Sequence, residues 1–225
     1  VNELNPDAME SYLINRRDKF PYLDEFHEFD IKTLASANYI NRLKNRLKST
    51  HGIDCDNNDL DLIAGGPPCQ GFSGIGHRRS YSVAKDQLPS NFLYEDMIYV
   101  IKKLKPKLFL FENVRGLLTA RWTKEGVNGE IFDDVIKTFS SIQGYQIAWN
   151  LLYAKNYGVP QNRPRIFLLG VRKDLDFFKN YKPKLLDQQK LFSQKLFCST
   201  KGIHTCNTSK FSSPSSLNKS FIKGL

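Results

Sequence analysis

The chain has 225 residues, of which 40% are hydrophobic and 25% are charged, a composition typical of a globular protein with a sizeable core. Its net charge is +10 and its pI is about 9.4, which favours a polyanionic partner, most simply nucleic acid. No apolar run reaches the length of a membrane span, and the four cysteines form no dense framework, which favours a reducing compartment over secretion.

The chain opens with a predicted strand end followed by a helix. Glu3 stands at the tip of the strand. Asn5 is a suitable N-cap and Pro6 suits the first helical position, so a helix should begin there. A carboxylate at a strand tip can accept hydrogen bonds from ribose hydroxyls, although a solvated surface glutamate is the alternative.

A second short extended segment, residues 27–31, contains Asp30 and precedes a longer helix. Apolar side chains recur from Leu34 to Leu47 at three- and four-residue spacing, which predicts one amphipathic helix. The arginines and lysines between them are interpreted as a solvated face.

The most informative stretch is residues 60–73. Residues 60–64 form an apolar run that predicts a buried strand, and Gly65-Gly66-Pro67-Pro68 ends it abruptly. Because proline fixes its own backbone and extends the residue before it, this stub should hold Cys69 at a defined place beyond the strand end. A thiol at the carboxyl end of a strand in an α/β sheet is a candidate nucleophile, whereas a buried core cysteine is the alternative.

The segment that follows, residues 71–90, shows no apolar period, contains three glycines, and carries Arg78 and Arg79. A long, glycine-hinged, basic loop beside a candidate nucleophile is interpreted as a lid over a phosphate-bearing substrate. We expect this loop to be mobile without the substrate and ordered over it.

The rest of the pattern predicts helices at residues 93–104 and 131–142 and strands at residues 107–111, 145–153 and 166–171. Glu112 follows the first of these strands and is a candidate proton donor, with a surface or ion-paired glutamate as the alternative. Arg163 and Arg165 come just before the last strand. Two arginines at i and i+2 of an extended segment point to the same side and could clamp a phosphate or contact a carbonyl oxygen.

This alternation predicts an α/β fold with a mostly parallel sheet and helices on both faces. Residues 1–181 would form its catalytic domain. Ser, Lys, Asn and Thr dominate residues 182–225, which are interpreted as an incomplete module or a disordered tail. Cys198, His204 and Cys206 lack the spacing of zinc ligands, so no metal site is expected.

Three motifs resemble, in order and spacing, the hallmarks of the cytosine-C5 DNA methyltransferase family. They are Pro67-Pro68-Cys69-Gln70, Glu112-Asn113-Val114 and Gln161-Asn162-Arg163-Pro164-Arg165. The resemblance covers residues 1–172 and implies a Rossmann-like sheet that uses S-adenosylmethionine and acts on double-stranded DNA. The family's glycine-rich cofactor loop, expected before Glu3, is absent from the sequence. We therefore expect a sheet that is incomplete at its central first strand, and a missing segment or second chain that supplies the loop.

The resemblance also implies roles for individual residues. Cys69 would attack C6 of a flipped cytosine, and Glu112 would protonate the N3 edge of the base. Arg163 and Arg165 would lie near the base and the nucleophile. The other implied contacts are to the cofactor, from Glu3, Asp30, Ile31, Pro67 and Leu93, and to DNA, from Gln70, Ser73, Arg78 and Arg79. Residues 182–225 would begin the target-recognition region.

The implied activity is that of a DNA (cytosine-5-)-methyltransferase with a covalent cysteine adduct, in a restriction–modification setting and in the bacterial cytoplasm or at the nucleoid. One alternative is an RNA (tRNA) cytosine-C5 methyltransferase, although residues 161–163 look more like those of the DNA enzymes. The other is a truncated, non-catalytic nucleic-acid-binding remnant, which the absent cofactor loop favours. For the same reason we expect this chain alone to bind S-adenosylmethionine poorly or not at all.

Overall fold

Four strands form one sheet in the computed structural model, which describes residues 1–68, 89–123 and 125–175. The strands are β1 (Leu62–Gly65), β2 (Leu108–Val114), β3 (Tyr145–Tyr153) and β4 (Pro164–Arg172), in the spatial order β1-β2-β4-β3. β1 and β2 pair in parallel, and β4 is antiparallel to both of its neighbours. Three of the four strands therefore run in the same direction, with β4 inserted between two of them.

The α/β class is as predicted, but the sheet is mixed. The connection from β3 to β4 consists of the 3₁₀ turn Ala154–Tyr157 and a few further residues. Gly158 closes this turn with a φ of 79°, a left-handed conformation that suits glycine. So short a connection returns the chain as an antiparallel neighbour, because a parallel crossover needs a dozen or more residues and usually a helix.

The helices are α1 (Pro6–Ile14), α2 (Ile31–Leu34), α3 (Ala37–His51), α4 (Leu93–Leu104) and α5 (Glu130–Ser140). Asn5 caps α1 as predicted. The single helix expected from Leu34 to Leu47 is wrong, since the Oγ atom of Ser36 accepts a hydrogen bond from the backbone N–H of Tyr39 at 3.3 Å and starts a separate helix. None of the helices in the described part of the chain is long and apolar enough to cross a membrane.

The main core lies between one face of the sheet and the helices that follow β1 and β2. Phe109 and Phe111 alternate along β2, and both rings contact Phe139 of α5, at centroid distances of 5.5 and 5.0 Å. A second cluster joins Ile40 of α3 and Leu104 of α4 and packs against β1. Helices α3 to α5 thus pack on the same side of the sheet, and helices on the opposite face stay a prediction.

The first thirty residues contain one isolated β-bridge, which lies outside the four-stranded sheet. A single parallel bridge joins Asn2 and Glu28, and the backbone N–H of Glu3 donates to the carbonyl of Glu28 at 3.3 Å. The two extended segments predicted at residues 1–4 and 27–31 therefore lie side by side, but they are shorter than expected. All of the described residues belong to one unit, Val1–Leu175, so the predicted boundary at residue 181 stays a prediction.

Candidate active site at the carboxyl ends of β1 and β2

The first two motifs meet at one edge of the sheet. β1 and β2 are parallel neighbours, so their carboxyl ends lie together. A Cβ atom on Gly66 would lie 2.9 Å from Oε2 of Glu112, so the backbone at Gly66 closely approaches this carboxylate. The described chain continues to Pro68, so Gly66, three residues before Cys69 in the chain, lies beside the glutamate. Cys69 itself lies outside the described residues.

Glu112 is ion-paired with Arg165 from the neighbouring strand β4. The Nε atom of Arg165 lies 2.8 Å from Oε1 of Glu112. The register explains the contact, because Arg165 is opposite Val114, two residues beyond Glu112 and on the same face. Arg165 also donates from Nη1 to the carbonyl of Pro164 at 2.8 Å. The guanidinium therefore orients the carboxylate through one oxygen, while Oε2 lies toward Gly66.

Arg163 does not join this ion pair. It precedes β4 in an exposed turn, where its backbone N–H donates to the carbonyl of Gln161 at 3.0 Å and its carbonyl accepts from Ala154 at 3.2 Å. This turn is centred on Asn162, before both arginines, so the expected two-arginine clamp stays a prediction. Of the two arginines, only Arg165 reaches Glu112, and the role of Arg163 stays a prediction.

Asn113 is a functional candidate to which sequence reasoning gave no role. Its side chain is buried, donates from Nδ2 to the carbonyl of Pro67 at 3.4 Å and accepts at Oδ1 from Val114 at 2.8 Å. It thus ties the end of β2 to the proline stub before Cys69. One signal could have found it, since the alternation of β2 places this polar residue on the buried face with Phe111.

A small cavity lies under the proline stub. Its lining residues are Pro67, Pro68, Asn91, Tyr94, Phe111, Asn113, Leu117 and Val135. Asn91 is 2% exposed and stands two residues before Leu93, the half-buried first residue of α4. Of the predicted cofactor residues, Pro67 lines this cavity, whereas Leu93 is next in the chain to Tyr94, which lines it.

The two acidic residues expected at the cofactor lie just beyond the bridge between the N-terminal extended segments. Both are exposed. Oε1 of Glu3 accepts from the backbone N–H of Asn5 at 3.0 Å, and Oδ1 of Asp30 accepts from that of Lys32 at 2.9 Å and caps α2. Each carboxylate is thus oriented by its own backbone, and a carboxylate has further lone pairs with which to accept from a hydroxyl or an amino group.

Electrostatic interactions connect this N-terminal part with α4. Burial raises the pKa of Asp96, near the start of α4, while nearby Lys32 lowers it and Asp30 raises it. These interactions place the start of α2, where Ile31 is half-buried, near the start of α4, where Leu93 lies. The predicted cofactor residues of the two helices therefore face a common region.

The remaining predicted contacts cannot be placed in the fold. Gln70, Ser73, Arg78 and Arg79 lie outside the described residues, as do the predicted mobile loop and residues 182–225. Within the described ranges, no group of three or more histidine, cysteine, aspartate or glutamate side chains is arranged to hold a metal ion.

The comparisons with known proteins agree with the motifs. A family model for C-5 cytosine-specific DNA methylases matches residues 1–220. The chain belongs to this family. The type II methyltransferase M.BsuRI of Bacillus subtilis is 33% identical over 190 residues, which cover 78% of this chain and 38% of that protein. The type II methyltransferase M.DdeI of Desulfomicrobium norvegicum is 41% identical over 116 residues, which cover 52% of this chain and 26% of that protein.

A solved structure supports the same fold for this methylase-family chain. It is described as a DNA modification methyltransferase encoded within a prophage of Escherichia coli, and it is 28% identical to this chain with a TM-score of 0.50. The match covers 78% of this chain and 40% of that one. The predicted methyltransferase-type α/β fold is confirmed. The chain spans less than half the length of each of these three relatives.

Proposed function

We propose that the protein to which this chain belongs is a DNA (cytosine-5-)-methyltransferase that transfers a methyl group from S-adenosylmethionine to C5 of a cytosine in double-stranded DNA. Family membership supports the reaction class. The observation that carries the proposed site is the Glu112–Arg165 ion pair of 2.8 Å, which lies beside Gly66 where the chain enters the Cys69 loop.

In this proposal the target cytosine is flipped out of the duplex and the Cys69 thiolate attacks C6 to form an S–C6 bond. Glu112, oriented by Arg165, hydrogen-bonds the N3 edge and delivers a proton there, so electron density moves to C5. S-adenosylmethionine supplies an electrophilic methyl group, which C5 accepts. A base then removes the C5 proton, the S–C6 bond breaks to release the thiolate, and N3 returns its proton to Glu112, so that a methyl group has replaced one hydrogen of the cytosine.

The contacts of Asn113 give the stub a positioning role in this chemistry. Its hydrogen bond to the carbonyl of Pro67 and the rigid backbone of two successive prolines restrict where Cys69 can lie. The same asparagine is next to Glu112 in β2. One buried side chain therefore fixes the distance between the proton donor and the start of the nucleophile loop.

We further propose that Glu3, Asp30, Ile31, Pro67 and Leu93 hold S-adenosylmethionine. The donor set fits this molecule, since the two exposed carboxylates suit ribose hydroxyls and an adenine amino group, and the apolar residues suit its rings and methylene groups. These residues would orient the cofactor and keep water from the transferred methyl group.

A further strand would complete this cofactor site. Within the described residues β1 pairs on one side only, with β2, and Leu62 on it is 49% exposed. An edge strand with unpaired backbone groups can pair with a further strand. We propose that a segment outside this chain, or a second chain, adds a strand beside β1 and supplies the remaining cofactor contacts.

The charge distribution supports DNA as the partner. Residues 176–225 contain nine lysines, no arginine and two aspartates, and so hold most of the net charge of +10. Residues 69–88 add Arg78, Arg79 and Lys85. Residues 1–68 are net acidic and residues 89–175 are net basic, so these two ranges nearly cancel when taken together. Clustered cations of this kind suit duplex phosphates. We propose that Arg78 and Arg79 contact DNA together with Gln70 and Ser73.

We also propose that the protein works in the cytoplasm or at the nucleoid of a bacterium with a restriction–modification system, as its type II relatives suggest.

The decisive test of the nucleophile is Cys69→Ser in the complete protein. We expect methyl transfer to fall below detection while DNA binding stays within about threefold, because an alkoxide is not available at neutral pH as a thiolate is. Transfer of tritiated methyl groups and a gel-shift titration would measure the two properties. DNA that contains 5-fluorocytosine should trap a covalent adduct with the parent protein only. A trapped adduct with the serine variant would show that Cys69 is not the nucleophile.

Glu112→Gln tests the proton donor against a matched control. The expected result is a fall in kcat of about 10²- to 10⁴-fold, since the amide keeps the shape of the side chain but cannot deliver the proton. Asp174→Asn is the control, because Asp174 is also a carboxylate ion-paired to an arginine of β4, at 2.7 Å from Arg172, but at the opposite end of that strand. Equal losses of kcat in the two variants would contradict the assignment of Glu112 as proton donor.

Assays of methyl transfer to duplex DNA and to tRNA in parallel would decide between the DNA and the RNA enzyme.

A further inference from the structure

Trp122 and Phe92 form an aromatic pair at the start of α4. Their rings are nearly parallel, with an interplanar angle of 6° and centroids 5.0 Å apart. Phe92 ends the 3₁₀ turn Pro89–Phe92, by which the described chain re-enters the fold before α4. Trp122 lies in the segment between β2 and α5, thirty residues further along the chain. The stack therefore joins two segments that are distant in sequence.

Trp122 is itself held firmly by α5. Its Nε1–H donates to Oδ2 of Asp134 at 2.8 Å, and its backbone N–H donates to the carboxylate of Glu130. The other oxygen of Glu130 accepts from the backbone N–H of Val127 at 2.9 Å. Gly126 leaves room for this arrangement, because a Cβ there would lie 2.1 Å from the Glu130 carboxylate. The loop is thus fastened at several points to a helix whose inner face is fully buried.

Phe92 has no comparable support from its own helix. It occupies the N-cap position of α4, yet no side chain there accepts a hydrogen bond from the first turn. A helix end without a capping side chain depends on other contacts to fix its position. On either side of Phe92 lie Asn91, which lines the cavity under the proline stub, and Leu93, the proposed cofactor contact.

We propose that Trp122 is a positioning residue for cofactor binding, which acts through its stack on Phe92 to hold residues 91–93 as one wall of the proposed cofactor site. This inference rests on the proposed function for its ligand, S-adenosylmethionine. Trp122 does not touch the reacting atoms. It connects the buried helix α5 to the uncapped start of α4, so that the wall keeps its place whether or not the cofactor is bound.

The first test measures cofactor affinity in the complete protein by calorimetry, without DNA. Trp122→Ala and Phe92→Ala should each raise the Kd of S-adenosylmethionine about tenfold, and the double variant should be no weaker than either single one. Trp122→Phe keeps an aromatic ring on Phe92 and should restore binding to within about threefold of the parent. The control is Trp149→Ala. Trp149 lies on β3 and makes a similar ring contact with Phe132 of α5, at a centroid distance of 4.8 Å, but does not contact Phe92 through that ring pair.

A second test needs no ligand and therefore separates this inference from the proposed function. Hydrogen exchange of the amides at residues 91–97 should be about tenfold faster in Trp122→Ala than in the parent, and unchanged in Trp149→Ala. If the parent binds no S-adenosylmethionine, the proposed function fails, and the exchange result alone decides whether Trp122 positions the wall. Unchanged exchange at residues 91–97 in Trp122→Ala overturns the inference. An equal rise in Kd in Trp149→Ala also overturns it, since the effect would then be general destabilisation.

Discussion

The described chain up to residue 68 and the part from residue 89 onward differ in how completely their apolar side chains are buried. Of the 25 buried hydrophobic residues, only Met9, Leu13, Ile40 and Cys55 belong to the first part. Of the eleven large hydrophobic residues that are exposed, eight belong to it. The first part carries Glu3 and Asp30, whereas the second carries the Glu112–Arg165 ion pair.

This difference shows that the two halves of the candidate site have unequal support. Glu112 and Arg165 are held by adjacent strands over a core of packed phenylalanines, so their geometry is fixed by contacts within this chain. The proposed cofactor carboxylates stand on short extended segments with one bridge and several uncovered apolar neighbours. We therefore expect substitutions of the same chemical kind to have large effects in the second part and small effects in the first.

The largest contrast should come from two leucines in the sheet. Leu168 on β4 is 0% exposed, and Leu168→Ala should lower the free energy of unfolding by about 3 kcal/mol through lost burial and a cavity. Leu62 on β1 is half exposed, and Leu62→Ala should cost no more than about 1 kcal/mol. Urea titration of both variants measures the difference. Equal losses would mean that the β1 edge is as well packed as the centre of the sheet.

Adding a methyl group, as Gly→Ala does, tests the same difference between the two parts at two glycines of the sheet. A Cβ on Gly170 of β4 would lie 2.0 Å from the ring of Phe109, which is fully buried, so Gly170→Ala should destabilise the fold by about 2 to 3 kcal/mol. A Cβ on Gly65 of β1 would lie 3.0 Å from the sulfur of Met97, which ends a flexible side chain. Gly65→Ala should therefore cost less than about 1 kcal/mol. Thermal unfolding of each variant is the measurement. If Gly65→Ala lowered the melting temperature as much as Gly170→Ala, the Met97 side chain would not move aside as expected.

The smallest expected contrast between the two parts concerns a buried hydroxyl. The Tyr145 hydroxyl donates to the carbonyl of Pro106, and Tyr145→Phe should cost about 1 to 2 kcal/mol because that buried carbonyl loses its donor. Burial also raises the pKa of Tyr145 to about 12 from its ordinary value of 10.0. A raised pKa means that the folded state favours the protonated form, so this stabilisation is complete below about pH 10 and is lost as the pH rises toward about 12.

Tyr12→Phe in the exposed first part is the matched control for Tyr145→Phe. Tyr12 is 38% exposed, and removal of its hydroxyl should leave the free energy of unfolding nearly unchanged. Unfolding curves at pH 8, 10 and 11 would test both variants. The parent should lose more stability than Tyr145→Phe over this range, whereas an identical pH dependence of the two would show that Tyr145 does not titrate with unfolding.

Local signals in the sequence predicted most of the elements. The N-cap at Asn5, helix Leu93–Leu104 and strand Tyr145–Tyr153 all form as expected, because capping, apolar periodicity and flanking breakers act over a few residues. The break at Ser36 was missed, since an apolar period continues across a cap that interrupts the backbone. The ends of β2 and β4 extend beyond the predicted strands, because pairing with a neighbour stabilises residues that have no strong propensity of their own.

The sequence by itself determined the class of the protein, since three motifs in order are a one-dimensional signal that needs no fold to be read. It also singled out Glu112 and Arg165 as candidate site residues. Only the tertiary structure decided that these two pair while Arg163 stays apart, because that depends on the register of β2 against β4 and on the turn before it. It also decided that Asn113 holds Pro67 and that Trp122 reaches Phe92, since both contacts join segments that are far apart in the chain and close only when the sheet and its helices pack.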